Sequence, residues 1–229
     1  NVKGPGATPT ASSMNWPYGV FGWKDKLFVA DTGNRRVLVF DQWPTLDNQE
    51  ADYVIGKPSF TDRDYDHQYP IWPYSVKLSE DGQLVITDTQ YYRVMLWSHW
   101  KLALNQTADV IIGQRDFTSN GQNQFGLQPG PNTLNWCYDA CFYKKGLWVA
   151  DTGNSRVLWF DPVPNQNNAK ATQLIGKPDF YTGSEFADTV FGTQKSLYWP
   201  FSIAHPMGSN LLIVADTGNH RIACYRLNL

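Results

Sequence analysis

The segment from Leu27 to Phe40, LFVADTGNRRVLVF, returns in nearly the same form at Leu147–Phe160 and at Leu212–Tyr225. A looser copy, Leu84–Trp97, lies between the first two. The aspartates of the four copies, Asp31, Asp88, Asp151 and Asp216, are spaced by 57, 63 and 65 residues. Self-similarity of this kind restricts the chain to a repeat architecture, in which each unit buries its apolar face against its neighbours.

Two further elements recur with the first. Runs opening at Trp16, Trp72, Trp136 and Trp199 precede the four copies, and runs ending at Gly56, Gly113 and Gly176 follow the first three. Short β-branched and aromatic runs bounded by Gly, Asn, Asp and Pro read as strands and their turns, and no window shows a sustained helical period. Each unit is therefore four short strands. The expected fold is all-β, a four-bladed β-propeller with four-stranded antiparallel blades, occupying 1–229 as a single domain. An aromatic content of 15%, with ten Trp, suits such a core.

In the repeated turn, Gly33, Gly153 and Gly218 are expected to take positive φ, and the Asp side chain to accept backbone N–H groups. Arg36, Arg93, Arg156 and Arg221 stand five positions after Asp31, Asp88, Asp151 and Asp216. This fixed relation predicts four charge pairs. Their role is structural, because catalytic groups are seldom copied into every repeat. The second copy departs from the pattern, with Gln90-Tyr91-Tyr92 in place of the Gly-Asn turn.

The run Val29-Ala-Asp-Thr-Gly-Asn-x-Arg-Val37, preceded by Pro17-x-Gly-Val20, closely resembles the NHL repeat of β-propellers. Ile55–Pro58 and Ile175–Phe180 look like the long-repeat version found in many bacterial exported proteins. The resemblance covers nearly the whole chain. It implies the propeller fold and an extracellular or periplasmic setting, and says little of function, since propellers host many tasks.

The last repeat stops after its third strand. Residues near 1–9 are expected to supply the missing strand by pairing with Ile222–Arg226, which would close the last blade and remove two free edges. The alternative is an arc of a larger ring. Asn1 in place of Met reads as a processed or trimmed chain.

With 17% charged residues and a formal net charge of −2, the chain lacks the field that draws polyanions. Lys24, Lys26, Arg35, Arg36, Lys144 and Lys145 could form a basic patch, but the acidic run at 62–66 opposes it, and nucleic acid is not an expected partner. No stretch approaches the ~18 apolar residues of a membrane helix. Cys137 and Cys141 fall four apart in one strand, about 13 Å at strand rise and too far for a disulfide. They and Cys224 are expected to be buried free thiols.

Chemistry-bearing motifs are scarce. There is no Gly-x-Ser-x-Gly element and no phosphate loop. His67, His99, His205 and His220 show no ligand spacing, and Asp139 is the sole acid at a position held elsewhere by Gly19, Ser75 and Ser202. The expectation is a non-catalytic, protein-binding propeller, an accessory or structural subunit of a larger assembly, with no cofactor and no metal. The alternative is a metal-dependent lyase or hydrolase of the propeller class, which would gather His or acid side chains on the axis.

Trp16, Trp72, Trp136 and Trp199 begin the innermost strands. They either pack between blades or form an aromatic platform at one mouth. Trp43, Trp100 and Tyr181 lie in connections that are not repeated, where insertions in repeat proteins gather on one face and carry recognition. They are the expected partner surface.

Overall fold

The computed structural model describes residues 8–62, 71–183, 192–206 and 208–228. The first blade is β1 (Pro17–Trp23), β2 (Lys26–Asp31), β3 (Arg36–Phe40) and β4 (Tyr53–Ile55). The second is β5 (Pro73–Leu78), β6 (Leu84–Asp88), β7 (Arg93–Trp97) and β8 (Val110–Ile112). The third is β9 (Cys137–Tyr143), β10 (Gly146–Asp151), β11 (Arg156–Phe160) and β12 (Gln173–Ile175). The fourth has β13 (Pro200–Ala204), β14 (Leu211–Asp216) and β15 (Arg221–Arg226). Every blade is an antiparallel meander in chain order, so the fold is a four-bladed β-propeller. Among the described residues β15 pairs only with β14; of the expected closing segment 1–9, residues 1–7 lie outside them, and residues 8 and 9 belong to no strand.

The middle strands are apolar on both faces because each blade is sandwiched by its neighbours. β6 and β7 are buried at every residue. The first and second blades share a cluster around Phe28, Val37, Ile86 and Met95. Val94, Leu96, Leu147 and Leu158 fill the next seam, and Trp148, Trp159, Leu212 and Val214 the third. At ~1.5–3 kcal/mol per fully buried large apolar side chain, these seams are the main source of stability.

The repeated turn is a single 3-10 turn between the second and third strands. Positive φ falls not on the glycines but on the residue after the turn: Arg35 (55°), Tyr92 (52°), Ser155 (54°) and His220 (51°). The glycines are needed for close approach instead. A Cβ on Gly33 would lie 2.6 Å from the Asn15 carbonyl oxygen, and that carbonyl accepts the Gly33 N–H at 2.8 Å. Gln90 stands at the equivalent place in the second blade, yet the turn and its left-handed exit are kept.

The Asp–Arg pairs sit where the turn closes, directly opposite each other in register. Asp31 Oδ1 accepts the Asn15 N–H at 2.7 Å, and its Oδ2 accepts from Arg36 Nε (2.7 Å) and Asn34 Nδ2 (2.8 Å). Asp151 and Asp216 repeat this set with Arg156 and Arg221. Asp88 keeps the backbone N–H of Trp72 (2.9 Å) and Arg93 but lacks the side-chain amide donor, since Tyr91 replaces the Asn. The remaining guanidinium N–H groups stitch the connections down. Arg36, Arg93 and Arg156 donate to the carbonyls of Phe60, Phe117 and Phe180, which explains the repeated segments after the outer strands.

Blades are also tied by hydrogen bonds. Thr32, Thr89 and Thr152 donate their hydroxyls to the carbonyls of Pro73, Cys137 and Pro200, each on the following blade, at 2.6, 2.5 and 2.6 Å. The long connections lap backwards over the preceding blade. Trp100, from the second blade, packs edge-on against Phe28 and Tyr53 of the first. In the third, Asn167 Oδ1 accepts the Ile111 N–H at 2.9 Å, and the Asn168 N–H donates to the Ile111 carbonyl at 3.0 Å.

Candidate functional site

The innermost strands β1, β5, β9 and β13 run from the end that carries the 3-10 turns to the end that carries the first hairpins. At the turn end, the four Trp residues rim the axis. Trp16, Trp136 and Trp199 have positive φ and are exposed. Three lean on the turn of the preceding blade: the Arg35 guanidinium lies 3.9 Å from the Trp72 ring centroid, Trp136 Nε1 donates to the Tyr92 hydroxyl, and the Trp199 N–H donates to Ser155 Oγ. They pack beside their neighbours while keeping ring surface open to solvent.

Inside this rim a second set of rings converges. Tyr18 meets Tyr74 at 4.9 Å between centroids, Tyr74 meets Tyr138 at 5.1 Å, and Tyr138 meets Phe201 at 4.5 Å. Partial burial, reinforced by Tyr74 and Tyr18, pushes the Tyr138 hydroxyl up to about 12, so it stays protonated and can both donate and accept. The mouth is thus an aromatic surface with hydroxyl handles, with the Arg35 guanidinium stacked on its rim at Trp72.

One step deeper lies Asp139. It is buried, and its Oδ1 accepts from Ser75 Oγ (2.6 Å) and Lys77 Nζ (3.0 Å). Its Oδ2 accepts from Ser202 Oγ (2.9 Å) and the Ile203 N–H (3.0 Å). The carboxylate therefore bolts the second, third and fourth blades together. Gly19 completes the position in the first blade, where a Cβ would lie 2.5 Å from the Tyr74 carbonyl oxygen.

At the hairpin end the axis opens into a cavity of about 890 Å³ lined by Phe21, Lys77, Cys141, Tyr143, Lys144 and His205, among others. His205 Nδ1 lies 3.0 Å from the Leu211 carbonyl oxygen, which can only accept, so Nδ1 carries a proton. Burial pushes the Cys141 thiol up to about 12, and Cys137 is raised by burial as well and donates to the Arg93 carbonyl. Neither is a thiolate nucleophile. Cys224, expected to be buried, is exposed on the last strand. Among the described residues, no three His, Cys, Asp or Glu side chains gather as a metal site would require, and no helix is long and apolar enough to cross a membrane.

The expected partner residues do not share a face. Trp100 is 1% exposed and fills the seam between the first two blades, so it is a packing residue and not a contact surface. Trp43 is exposed at the hairpin end, against Gly22. Tyr181 is exposed at the turn end, where it lines a cleft of about 610 Å³ with Asn135, the neighbour of Trp136. The basic residues also scatter: Arg36 is fully buried, Lys26 pairs with Asp41, and Arg35 stacks on Trp72. His67 lies outside the described residues. Sequence reasoning missed the tyrosine cluster and the bonds of Asp139, although Tyr18, Tyr74, Tyr138 and Phe201 recur two places after each Trp.

No protein-family profile and no curated protein sequence matches the chain. Among solved structures, an auxiliary nutrient binding protein from Bacteroides thetaiotaomicron is similar with a TM-score of 0.51 at 11% identity, over 89% of this chain and 46% of that one. Virginiamycin B lyase from Staphylococcus aureus gives 0.40 at 13% identity, over 93% and 56%. Hydrazine synthase from Kuenenia stuttgartiensis gives 0.47 at 12% identity, over 99% and 53%. The chain spans about half the length of these structures, and the likeness to the first is one of fold alone.

Proposed function

We propose that this chain is an NHL-type propeller domain over 1–229 that binds a protein partner without catalysis, as an accessory or structural subunit of an extracellular or periplasmic assembly. The binding surface is the turn-end mouth, with Trp16, Trp72, Trp136 and Trp199 around the Tyr18–Tyr74–Tyr138–Phe201 cluster, extended outward by Tyr181. One observation carries this reading: large rings are held in fixed positions by the turns, yet keep solvent-facing surface. Rigid, half-exposed Trp and Tyr offer much contact area at low entropic cost and dominate interface energetics. The groups behind them are already engaged, Asp139 with three blades and the Asp–Arg pairs with their turns.

The test is to purify the native assembly, identify its partner, and measure affinity for Trp136→Ala and Trp199→Ala. Each should weaken binding by more than about tenfold, the mark of a hot-spot residue, with an unchanged melting temperature. Unaltered affinity in both would place the interface elsewhere.

A further inference from the structure

We propose that the cleft beside the turn-end mouth is a binding site for an uncharged sugar. The sugar ring stacks on Tyr181, and its hydroxyls meet the carboxamides of Gln122, Gln128 and Asn135 and the carboxylate of Asp179. This site goes beyond the protein-binding reading and does not rest on it. Each of these side chains falls in the continuous described stretch 71–183.

The cleft, at about 610 Å³, has the size of small-molecule sites, which run to about 300–1,000 Å³. The third blade lines it with Asn135 and Asn154 at the turn and with Asp179 to Gly183 after the outer strand. The connection from the second blade adds Gln122, Asn123, Gln128 and their neighbours. Carboxamides dominate this lining, and no Lys, Arg or His joins it among the described residues. A phosphate or carboxylate would find no counter-ion there, only the repulsion of Asp179. An apolar ligand would strand the amides. A carboxamide holds a donor and an acceptor side by side, which matches adjacent hydroxyls of a sugar, and an aromatic face suits the C–H groups of its ring.

The repeat does not demand these residues. Tyr181 follows the phenylalanine whose carbonyl takes the repeated Arg, and the first and second blades have Thr61 and Thr118 at that place. Its ring is 62% exposed. Asn135 corresponds to Asn15, Ile71 and Tyr198 in the other blades. Its carboxamide oxygen is buried without a donor among the described residues, an arrangement that native interiors seldom keep. The broad, two-fold χ2 of Asn lets the amide turn to a hydroxyl in the cleft. Asp179 Oδ1 accepts the Tyr181 and Thr182 N–H groups, both at 2.8 Å, and the Thr182 hydroxyl at 3.0 Å, which holds the carboxyl below the usual carboxylate range. Oδ2 takes none of these donors and is left for a sugar hydroxyl.

The second-blade wall is set in advance. Asn123, Gln124 and Phe125 have φ of 48°, 56° and 64°, three successive left-handed residues without a glycine. Such backbone persists where its surroundings over-determine it, and it clusters at ligand sites. Gln124 Nε2 donates to the Asn132 carbonyl (2.9 Å) and to Asn168 Oδ1 (2.7 Å). The carboxamides of Asn123 and Asn154 donate to each other at 3.1 and 2.9 Å. A sugar therefore meets groups already in place, with little ordering left to oppose binding.

NMR titration of the 1–229 chain with glucose, galactose, mannose, N-acetylglucosamine, maltose and cellobiose tests this. No native partner is needed, so failure here is distinguishable from failure of the protein-binding reading. At least one sugar should bind one to one with a dissociation constant of about 1 mM or below. Tyr181→Ala and Gln128→Ala, both at exposed positions, should each weaken it about tenfold at an unchanged melting temperature, and Tyr181→Phe, which keeps the ring, should bind within about twofold of wild type. Glucuronate should bind more weakly than the best neutral sugar. The proposal is overturned if none of the sugars binds by about 20 mM, or if both alanine variants bind as wild type does, which would place the sugar elsewhere. Tighter binding of glucuronate would overturn it in favour of an anion site. Triglycine bound where the sugars are not would overturn it by assigning the amides to a peptide backbone.

Discussion

Ser75 Oγ donates to Asp139 Oδ1 at 2.6 Å across the seam between the second and third blades. The same carboxylate reaches the fourth blade through Ser202, so one side chain near the axis couples three blades. Asp139→Ala should lower stability by about 2–4 kcal/mol, since it leaves buried donors without an acceptor and Lys77 without its partner. Thermal denaturation checks this, and a change below 1 kcal/mol, the scale of a surface pair, would show that the bolt is dispensable.

The four Asp–Arg pairs should not be worth the same. Arg156 is fully buried, so Asp151→Ala strands an uncompensated guanidinium and should cost about 3–5 kcal/mol. The Arg221 side chain is 31% exposed, so water can solvate it after Asp216→Ala and the loss should be smaller. Denaturant unfolding of the two variants gives the order.

Burial pushes Asp88 up to about 6, against the opposing pull of Arg93. With the folded value above the ordinary 3.8, the native state binds the extra proton, so this group's contribution is fully present below about pH 4. It is lost as pH rises through about 6. Relative to Asp88→Asn, the wild type should lose up to about 3 kcal/mol between pH 4 and pH 7. Tyr91→Asn would add the amide donor that Asn154 gives Asp151, and should move the Asp88 titration down. Carboxyl NMR titration reads both.

Much of the architecture could be read from the repeat, because strand boundaries, the turn and the Asp–Arg register all recur with it. Conformation inside the turn could not. The left-handed residue is Arg, Tyr, Ser or His in the four blades, without the Gly or Asn signature, and the neighbouring glycines are there for close approach. Trp100 looked like a surface residue because its connection is not repeated, but that connection folds back over the preceding blade and buries it. The bonds of Asp139 join residues more than sixty positions apart, and only the stacking of blades brings them together.

Thr152→Val removes a filled seam bond to Pro200 and should destabilise the fold by about 1–3 kcal/mol, through a carbonyl left without its donor. Among the described residues the Thr217 hydroxyl reaches only the Ala215 carbonyl, so Thr217→Val should leave the melting temperature nearly unchanged. Equal losses in the two variants would mean that the last seam resembles the others.

Oxidative footprinting of the tryptophans in the native assembly, compared with the isolated chain, tests the proposed binding surface most directly. Trp16, Trp136 and Trp199 should be oxidised in the isolated protein and protected in the assembly, with Trp100 unreactive in both. Full reactivity of the turn-end tryptophans in the intact assembly would contradict the account, and protection confined to other surfaces would show which face the partner uses.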